Sequence, residues 1–192
     1  MILTSKEALK MLEDAKGKTK CDGWIHHSIC VGNSAAIIAE SLNLDTDKAR
    51  ALGYIHDIGK LIKFTSHPMK GYEYLKELGY DDEYCNICLT HSYLNNDYKC
   101  VAGGIPDDIP FRTEFIKNHE YTIYDKLINL CDLMCTKRIV TLEKRLIDLI
   151  TRYGVFENTV YHINEAQKLK KHFDDLLGYN VYDLFPDIKN NL

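Results

Sequence analysis

A histidine and an aspartate stand side by side, as His56-Asp57, inside an apolar helical pattern, and this pair constrains the fold most. A buried carboxylate needs a countercharge, and buried polar groups need hydrogen-bond partners. A divalent cation held by imidazole nitrogens and carboxylate oxygens would meet both needs and would also supply a Lewis acid. The pair therefore predicts a fold in which other helices bring further metal ligands to these two residues.

The rest of the chain has the pattern of an all-α protein. Its 192 residues are enough for one domain with a hydrophobic core. Apolar residues recur at helical spacing along most of the sequence, and alternating strand patterns are nearly absent. We therefore predict a single-domain helical bundle over residues 1–192, with the metal-site core at about 24–137 and C-terminal helices at 141–179 packed on it.

Capping residues, prolines and glycines set the predicted helix bounds. A Ser, Thr or Asp before an apolar repeat starts a helix, and a glycine after the repeat ends it. Residues 95–118 contain two glycines and two prolines without a helical period, so we predict a long loop that covers the site. The predicted helices span 4–16, 24–42, 45–62, 66–79, 83–93, 121–137, 142–153 and 157–177.

The charge balance bears on the partners of the chain. It has 24 Lys and Arg against 28 Asp and Glu, a formal net charge of -4. This balance argues against a broad nucleic-acid surface, so we expect a small phosphorylated molecule, not nucleic acid, as partner. No apolar run resembles a membrane span or a secretory signal, so no membrane partner is expected. We interpret the seven cysteines as reduced thiols of a cytoplasmic protein.

Two isolated residues complete a first set of candidate metal ligands. His27 shares a helical stripe with Val31, so its side chain points inward; the alternative is a core histidine bonded to a backbone carbonyl. Asp132 lies in an apolar run, where an unpaired carboxylate is costly. Its alternative role is to pair with an arginine such as Arg138 or Arg112, and we favour metal ligation.

The order His27, His56-Asp57, Asp132 resembles that of the HD superfamily of metal-dependent phosphohydrolases. The extension Ile58-Gly59-Lys60 resembles the HDIG-type branch of this superfamily. The resemblance covers residues 27–132 and implies the all-helical HD-domain fold. It also implies that these two histidines and two aspartates hold one divalent metal ion.

The same resemblance bears on a second metal ion. Many relatives add two histidines and bind another ion, which the aspartate of the HD pair bridges, and His67 and His91 are placed to be those two residues. The alternative for His67 is a helix-start residue without a ligand role, and for His91 a cation at a helix C-terminus. The implied cofactor is thus one or two divalent ions of Fe, Mn, Ni or Mg.

The resemblance implies a phosphohydrolase that cleaves a phosphoester or phosphoanhydride of a nucleotide or similar small phosphorylated molecule. Asp57, if it bridges the ions, would act as a catalytic residue and orient the attacking water. Lys60 lies near one helical turn from Asp57, so its ammonium would contact a substrate phosphate; the alternative is a solvated lysine. Lys99 and Arg112, in the predicted loop, are further candidate substrate-binding residues.

The sequence lacks motifs of two known branches of the HD superfamily, which narrows the range of expected substrates. His91 is followed by Ser92-Tyr93, and not by the GYP-containing motif of cyclic-dinucleotide phosphodiesterases. The acidic motif of guanosine tetraphosphate hydrolases is also missing after Gly59. The analogy we draw is with small binuclear HD proteins that cleave dinucleoside polyphosphates. Two other classes stay open, a regulatory HD module that binds metal or nucleotide with little turnover and a di-iron oxygenase-type HD protein, as does a homodimer.

Overall fold

The structure, a computed structural model, describes residues 1–97, 100 and 110–191. It confirms the all-α prediction, because the extended pairing within these residues is one isolated bridge between Cys135 and Ile139. Short 3₁₀ turns lie at Ile58–Leu61, Leu94–Asn96, Val181–Leu184 and Pro186–Asn191. The α-helices are α1 Ser5–Ala15, α2 Gly23–Ser41, α3 Thr46–Ile55, α4 His67–Glu77, α5 Asp82–Thr90, α6 Phe111–Asn118, α7 Ile123–Met134, α8 Leu142–Tyr153 and α9 Thr159–Leu177.

Side-chain caps explain why most helices begin where the sequence predicts. The Thr4 hydroxyl accepts from the Glu7 backbone N–H, and the Glu7 carboxylate accepts from the Thr4 N–H, which together form a capping box at α1. Thr141 accepts from the Lys144 N–H at the start of α8. Apart from the break in α3, each predicted helix is present with ends within three residues of the observed ones.

Helices α2 and α3 form the buried centre of the bundle, and their backbones are in direct contact. A Cβ added at Gly53 would lie 2.4 Å from the Cα of Gly32, so neither position accepts a side chain while the two helices keep this separation. Each helix is buried along most of its length. This close contact carries His27 of α2 to the end of α3, where His56 lies.

Helix α3 ends at Ile55, so the prediction of one helix through residue 62 is wrong. Asp57 has φ -106° and ψ 8°, and the chain continues as the 3₁₀ turn. A tertiary contact accompanies this break, since a Cβ on Gly59 would lie 1.9 Å from the carbonyl oxygen of His67 at the start of α4. The break therefore places Asp57 between α3 and α4, next to the first residue of α4.

Helix α6 lies inside the predicted loop, so that prediction is wrong over 111–118. The rings of Phe111 and Phe115 stack with centroids 6.2 Å apart, and both rings contact Tyr72 of α4. An aromatic pair spaced i, i+4 stabilises a helix when a third ring packs on it. The remainder of the predicted loop includes Lys99 and residues 101–109, which lie outside the described residues.

The C-terminal helices α8 and α9 pack on α7. Their buried residues, including Leu142, Leu146, Ala166 and Phe173, belong to the same hydrophobic cluster as those of α2 and α3. The domain bounds given above for the core and the C-terminal helices stay predictions. Among the helices that the structure describes, none combines the length and apolar character needed to cross a bilayer.

Candidate metal centre

The six predicted ligands come together from five places in the fold. His27 lies on α2, His56 and Asp57 follow α3, His67 begins α4, His91 follows α5, and Asp132 lies near the end of α7. Among the described residues, the His, Cys, Asp and Glu groups with metal-ligand geometry are two triads. One is His27, His56 and Asp57, and the other is Asp57, His67 and His91. Asp57 thus belongs to both.

The first set of candidate metal ligands, His27, His56 and Asp132, surrounds Oδ2 of Asp57. This oxygen lies 3.5 Å from Nε2 of His56 and 4.0 Å from Nε2 of His27. Oδ1 of Asp132 lies 2.8 Å from Nε2 of His27 and 4.0 Å from Nε2 of His56. Ligands bound at roughly 2.1 Å to one ion lie about 3 to 3.5 Å apart. The four side chains are therefore close to the separations that one divalent ion requires.

The second donor set faces the other oxygen of the same carboxylate. Oδ1 of Asp57 lies 3.1 Å from Nε2 of His67 and 3.7 Å from Nε2 of His91. The rings of these two histidines have centroids 5.5 Å apart. The two oxygens of Asp57 are thus directed toward two different groups of imidazole nitrogens.

Backbone carbonyls set the orientation of three of the imidazole rings. Nδ1 of His56 lies 2.7 Å from the Gly53 carbonyl oxygen, Nδ1 of His67 lies 2.9 Å from that of Phe64, and Nδ1 of His91 lies 2.9 Å from that of Cys88. Nδ1 can only donate to a carbonyl, so in each neutral ring the Nε2 lone pair points into the centre.

One ring nitrogen among the candidate ligands is buried and unpaired, which bears on whether these residues fit a metal ion. Nε2 of His56 is buried and has no hydrogen-bond partner among the described residues. A buried acceptor left unpaired is costly, and a cation would satisfy it. The residues present therefore fit a divalent metal ion.

The charge states of the donors also suit a cation. Burial lowers the pKa of His56, and it lowers the pKa of His91 to about 3, so both rings are neutral near pH 7. Burial opposes ionisation of Asp57, but Lys60, His56 and His67 outweigh it and hold its pKa well below the usual range. Burial acts against Asp132 too, and the contact with His27 lowers its pKa despite that. Neutral imidazoles and ionised carboxylates are the forms that bind metals.

The predicted substrate-binding residues have different positions. Nζ of Lys60 contacts Oδ2 of Asp57 and lies 5.2 Å from the ring centroid of Phe64. Arg112 is buried on α6 with its guanidinium 5.7 Å from the ring centroid of Tyr93. It is not one of the residues that line the cleft described below, whereas Lys60 is. Lys99 is outside the described residues.

The metal centre opens into a cleft of about 900 Å³. Five of the six candidate ligands line it, all except His56. Other parts of the cleft lining come from the turn after α7 and from α8 and α9, for which the sequence had suggested no chemistry. The residues missed in this way are Lys137, Arg145, Asp148, Arg152, Tyr153 and His162.

A sequence signal for the α8 wall does exist. Arg145, Asp148, Leu149, Arg152 and Tyr153 recur at i, i+3, i+4, i+7 and i+8, so they share one helical face, and all five line the cleft. Two arginines on the same stripe as an apolar residue are unusual for a face that only packs. His162 on α9 is buried, and burial lowers its pKa, which keeps its ring neutral.

Comparison with known proteins agrees with this geometry. The HD-domain family model matches residues 24–137, which is more than half of the chain. The chain therefore belongs to the HD-domain family, the superfamily of metal-dependent phosphohydrolases. This confirms the resemblance that the order of histidines and aspartates indicated.

Individual relatives match over shorter segments. Ribonuclease Y of Pseudothermotoga lettingae is 36% identical over 89 residues, which are 44% of this chain and 18% of that protein. Ribonuclease Y of Fervidobacterium nodosum is 37% identical over 89 residues, 44% of this chain and 17% of that protein. The matched part is thus less than a fifth of the length of these relatives.

A solved structure is similar over a larger share of the chain. The HD domain of the L. monocytogenes phosphodiesterase PgpH superposes with a TM-score of 0.48 at 19% sequence identity. The superposition covers 89% of this chain and 95% of that one.

Proposed function

We propose that this chain hydrolyses a phosphoester or phosphoanhydride bond of a nucleotide or similar small phosphorylated molecule, with two divalent ions that share Asp57. The observation that carries the proposal is that the two oxygens of Asp57 face two separate sets of imidazole nitrogens. His27, His56 and Asp132 would hold one ion with Oδ2, and His67 and His91 would hold the other with Oδ1.

Divalent ions in such a site lower the pKa of bound water and neutralise charge on the phosphoryl oxygens. Nitrogen and oxygen ligands in this ratio suit manganese, iron or nickel, and magnesium is the weaker candidate because imidazole favours the later metals. The ligand oxygens and nitrogens come from several rigid helices, so little reorganisation is needed at the moment of reaction.

The chain's own residues would position the reactants. Asp57 is ionised and lines the cleft, so it can accept a hydrogen bond from the attacking water and fix its direction. Lys60 lies on the same wall and contacts the same carboxylate, so a small rotation of its side chain would place its ammonium against a phosphoryl oxygen. Arg112, being buried away from the cleft lining, is not included in this mechanism.

The size of the cleft supports a small substrate. A volume of about 900 Å³ lies within the range of typical small-molecule sites, roughly 300 to 1,000 Å³. The ribonuclease Y relatives have a name that denotes cleavage of RNA, so a short single-stranded RNA is the alternative substrate to test.

The test compares the wild type with variants at two neighbouring histidines. His27→Ala removes a predicted ligand, whereas His26→Ala is a matched control because His26 is exposed on the same helix. With manganese and bis(p-nitrophenyl) phosphate as substrate, we expect His27→Ala and Asp57→Asn to lose on the order of 100-fold or more in kcat, and His26→Ala to keep wild-type kinetics.

Two results would overturn the proposal. One is a wild-type protein that binds manganese but cleaves neither phosphate esters, nucleotides nor RNA, which would favour a regulatory HD module. The other is a His27→Ala variant with undiminished turnover. Oxygen uptake by the iron-loaded protein, with no phosphate released, would instead favour the di-iron oxygenase class.

A further inference from the structure

The face of α8 that lines the cleft carries an excess of positive charge. Asp148 pairs with both arginines of this face: Nη1 of Arg145 donates to its Oδ2 at 3.1 Å, and Nη2 of Arg152 contacts the same oxygen. One carboxylate thus balances two guanidinium groups. The exposed Lys137 and Arg138, in the turn before α8, line the same cleft. A chain of net charge -4 therefore gathers cations on one wall of its metal cleft.

One donor on this wall lacks a partner. The Arg145 side chain is only 13% exposed, and its Nε is buried without a hydrogen-bond partner among the described residues. Leaving a buried charged donor unpaired costs more than leaving a neutral one. Because this Nε is itself shielded from solvent, a phosphate oxygen in the cleft would satisfy its N–H once the Arg145 side chain turned toward the cleft. The planar donor geometry of a guanidinium group matches phosphate oxygens.

Aromatic rings stand beside the cations at the mouth of the cleft. Tyr153 is 62% exposed and its ring centroid lies 5.4 Å from Cζ of Arg152. Phe64 is 60% exposed and its ring centroid lies 5.2 Å from Nζ of Lys60. Both rings line the cleft. An exposed aromatic ring offers a base a stacking surface.

We propose that α8 provides a second phosphate subsite, in which Arg145 and Arg152 hold a phosphate group other than the one at the metal centre and Tyr153 stacks on a base. The substrate class is therefore a nucleotide with at least two phosphate groups, either in one chain or on two linked nucleosides. Hydrolysis of such a nucleotide by this chain rests on the proposed function, whereas binding of its second phosphate at α8 does not. The residues concerned lie beyond 24–137, the segment that the HD family model matches.

Binding without turnover tests the subsite directly. The probes are N-methylanthraniloyl-labelled AMP and the α,β-methylene analogue of ADP, whose phosphate–phosphate link resists hydrolysis, titrated by fluorescence at 4 °C against the wild-type protein in manganese buffer. We expect the ADP analogue to bind at least tenfold more tightly than AMP, and Arg152→Ala or Arg145→Lys to reduce that ratio at least fivefold. Lys144→Ala is the matched control, because Lys144 is an exposed cation on α8 that does not line the cleft, and it should keep the ratio.

A kinetic experiment separates the two forms of the substrate class. In the manganese-loaded wild-type protein, KM is compared for ADP, for the dinucleotide pApA and for bis(p-nitrophenyl) phosphate, which has one phosphate. Arg152→Ala should raise KM for whichever of ADP and pApA is the better substrate by at least tenfold more than for the one-phosphate ester. Tyr153→Leu should raise KM for the nucleotide alone, since the ester has no base.

The outcomes distinguish this inference from the proposed function. Hydrolysis of the simple ester with no ADP preference, or an unchanged ratio in both arginine variants, would overturn the subsite and leave the hydrolase. Selective ADP binding lost in the arginine variants, without turnover of any substrate, would support the subsite and overturn the hydrolase. Because Arg152 is exposed, its replacement should leave the thermal unfolding midpoint close to wild type, which circular dichroism checks.

Discussion

Gly59→Ala should damage the second metal site more than the first. The added Cβ would lie 1.9 Å from the carbonyl oxygen of His67 and 2.4 Å from the backbone nitrogen of Gly71, whereas real Cβ contacts are essentially never shorter than 3.0 Å. Both neighbours are backbone atoms, so no side-chain rotation relieves the clash. The 3₁₀ turn and the start of α4 would have to separate by at least about 1 Å, and such overpacking costs typically 1 to 3 kcal/mol.

Moving the 3₁₀ turn away from α4 should disturb only the second set of candidate ligands. His67 begins α4 and lies 3.1 Å from Oδ1 of Asp57, so a shift of α4 withdraws its imidazole. His27 and Asp132 lie on α2 and α7, whereas the three atoms nearest to the added Cβ all belong to α4, so these two ligands should stay in place. We therefore expect Gly59→Ala to bind one manganese ion at nearly wild-type affinity and the second at least tenfold more weakly.

The assay combines urea unfolding of the metal-free protein with manganese titration by calorimetry. Gly178→Ala is the control, because Gly178 has φ +79° and a Cβ added there would meet no atom within 4 Å. A non-glycine residue in that conformation costs roughly 1 to 2 kcal/mol, yet both ions should bind. If Gly59→Ala lost less than about 0.5 kcal/mol of stability and bound two ions like the wild type, the reasoning from the close backbone contact would be refuted.

Three further predictions follow from caps, charges and burial. Asp57→Asn should abolish binding of both ions, as metal analysis after gel filtration would show, and one ion retained at full affinity would contradict a shared carboxylate. Burial lowers the pKa of His91 to about 3, below its value of about 6.5 in the unfolded chain. The unfolded state therefore binds this proton first, and the metal-free protein should lose stability as pH falls from about 6.5 toward 3, by up to about 1.4 kcal/mol per pH unit; His91→Gln should flatten the urea-midpoint profile. Thr141→Ala removes the hydroxyl that accepts from the Lys144 N–H, and should lower the free energy of unfolding by about 1 kcal/mol. Thermal unfolding measures this loss, and an unchanged midpoint would contradict it.

Three of the candidate ligands could be predicted from sequence because they break their local patterns, whereas His67 and His91 followed from the resemblance to the HD superfamily. Asp132 interrupts an apolar run, and His56-Asp57 interrupts an apolar helix, so neither fits a purely structural role. Helix α8 was predictable to the residue because Thr141 caps its start and Gly154 follows its end.

What the sequence did not reveal depends on tertiary contacts. The break after Ile55 arises where Gly59 meets the backbone of α4, and nothing in the local pattern records that neighbour. Helix α6 is stabilised by an edge-to-face contact of Phe115 with Tyr72, which is distant in sequence. The arginines of α8 have a clear helical stripe, but only the packing of α8 determines that this stripe faces the metal cleft.

Anomalous diffraction from manganese-soaked crystals tests the central claim most directly. We predict two peaks, one among His27, His56, Asp132 and Oδ2 of Asp57, and the other among His67, His91 and Oδ1 of the same carboxylate. Peaks that avoid Asp57, or a protein in which these side chains bind no ion at all, would contradict the account.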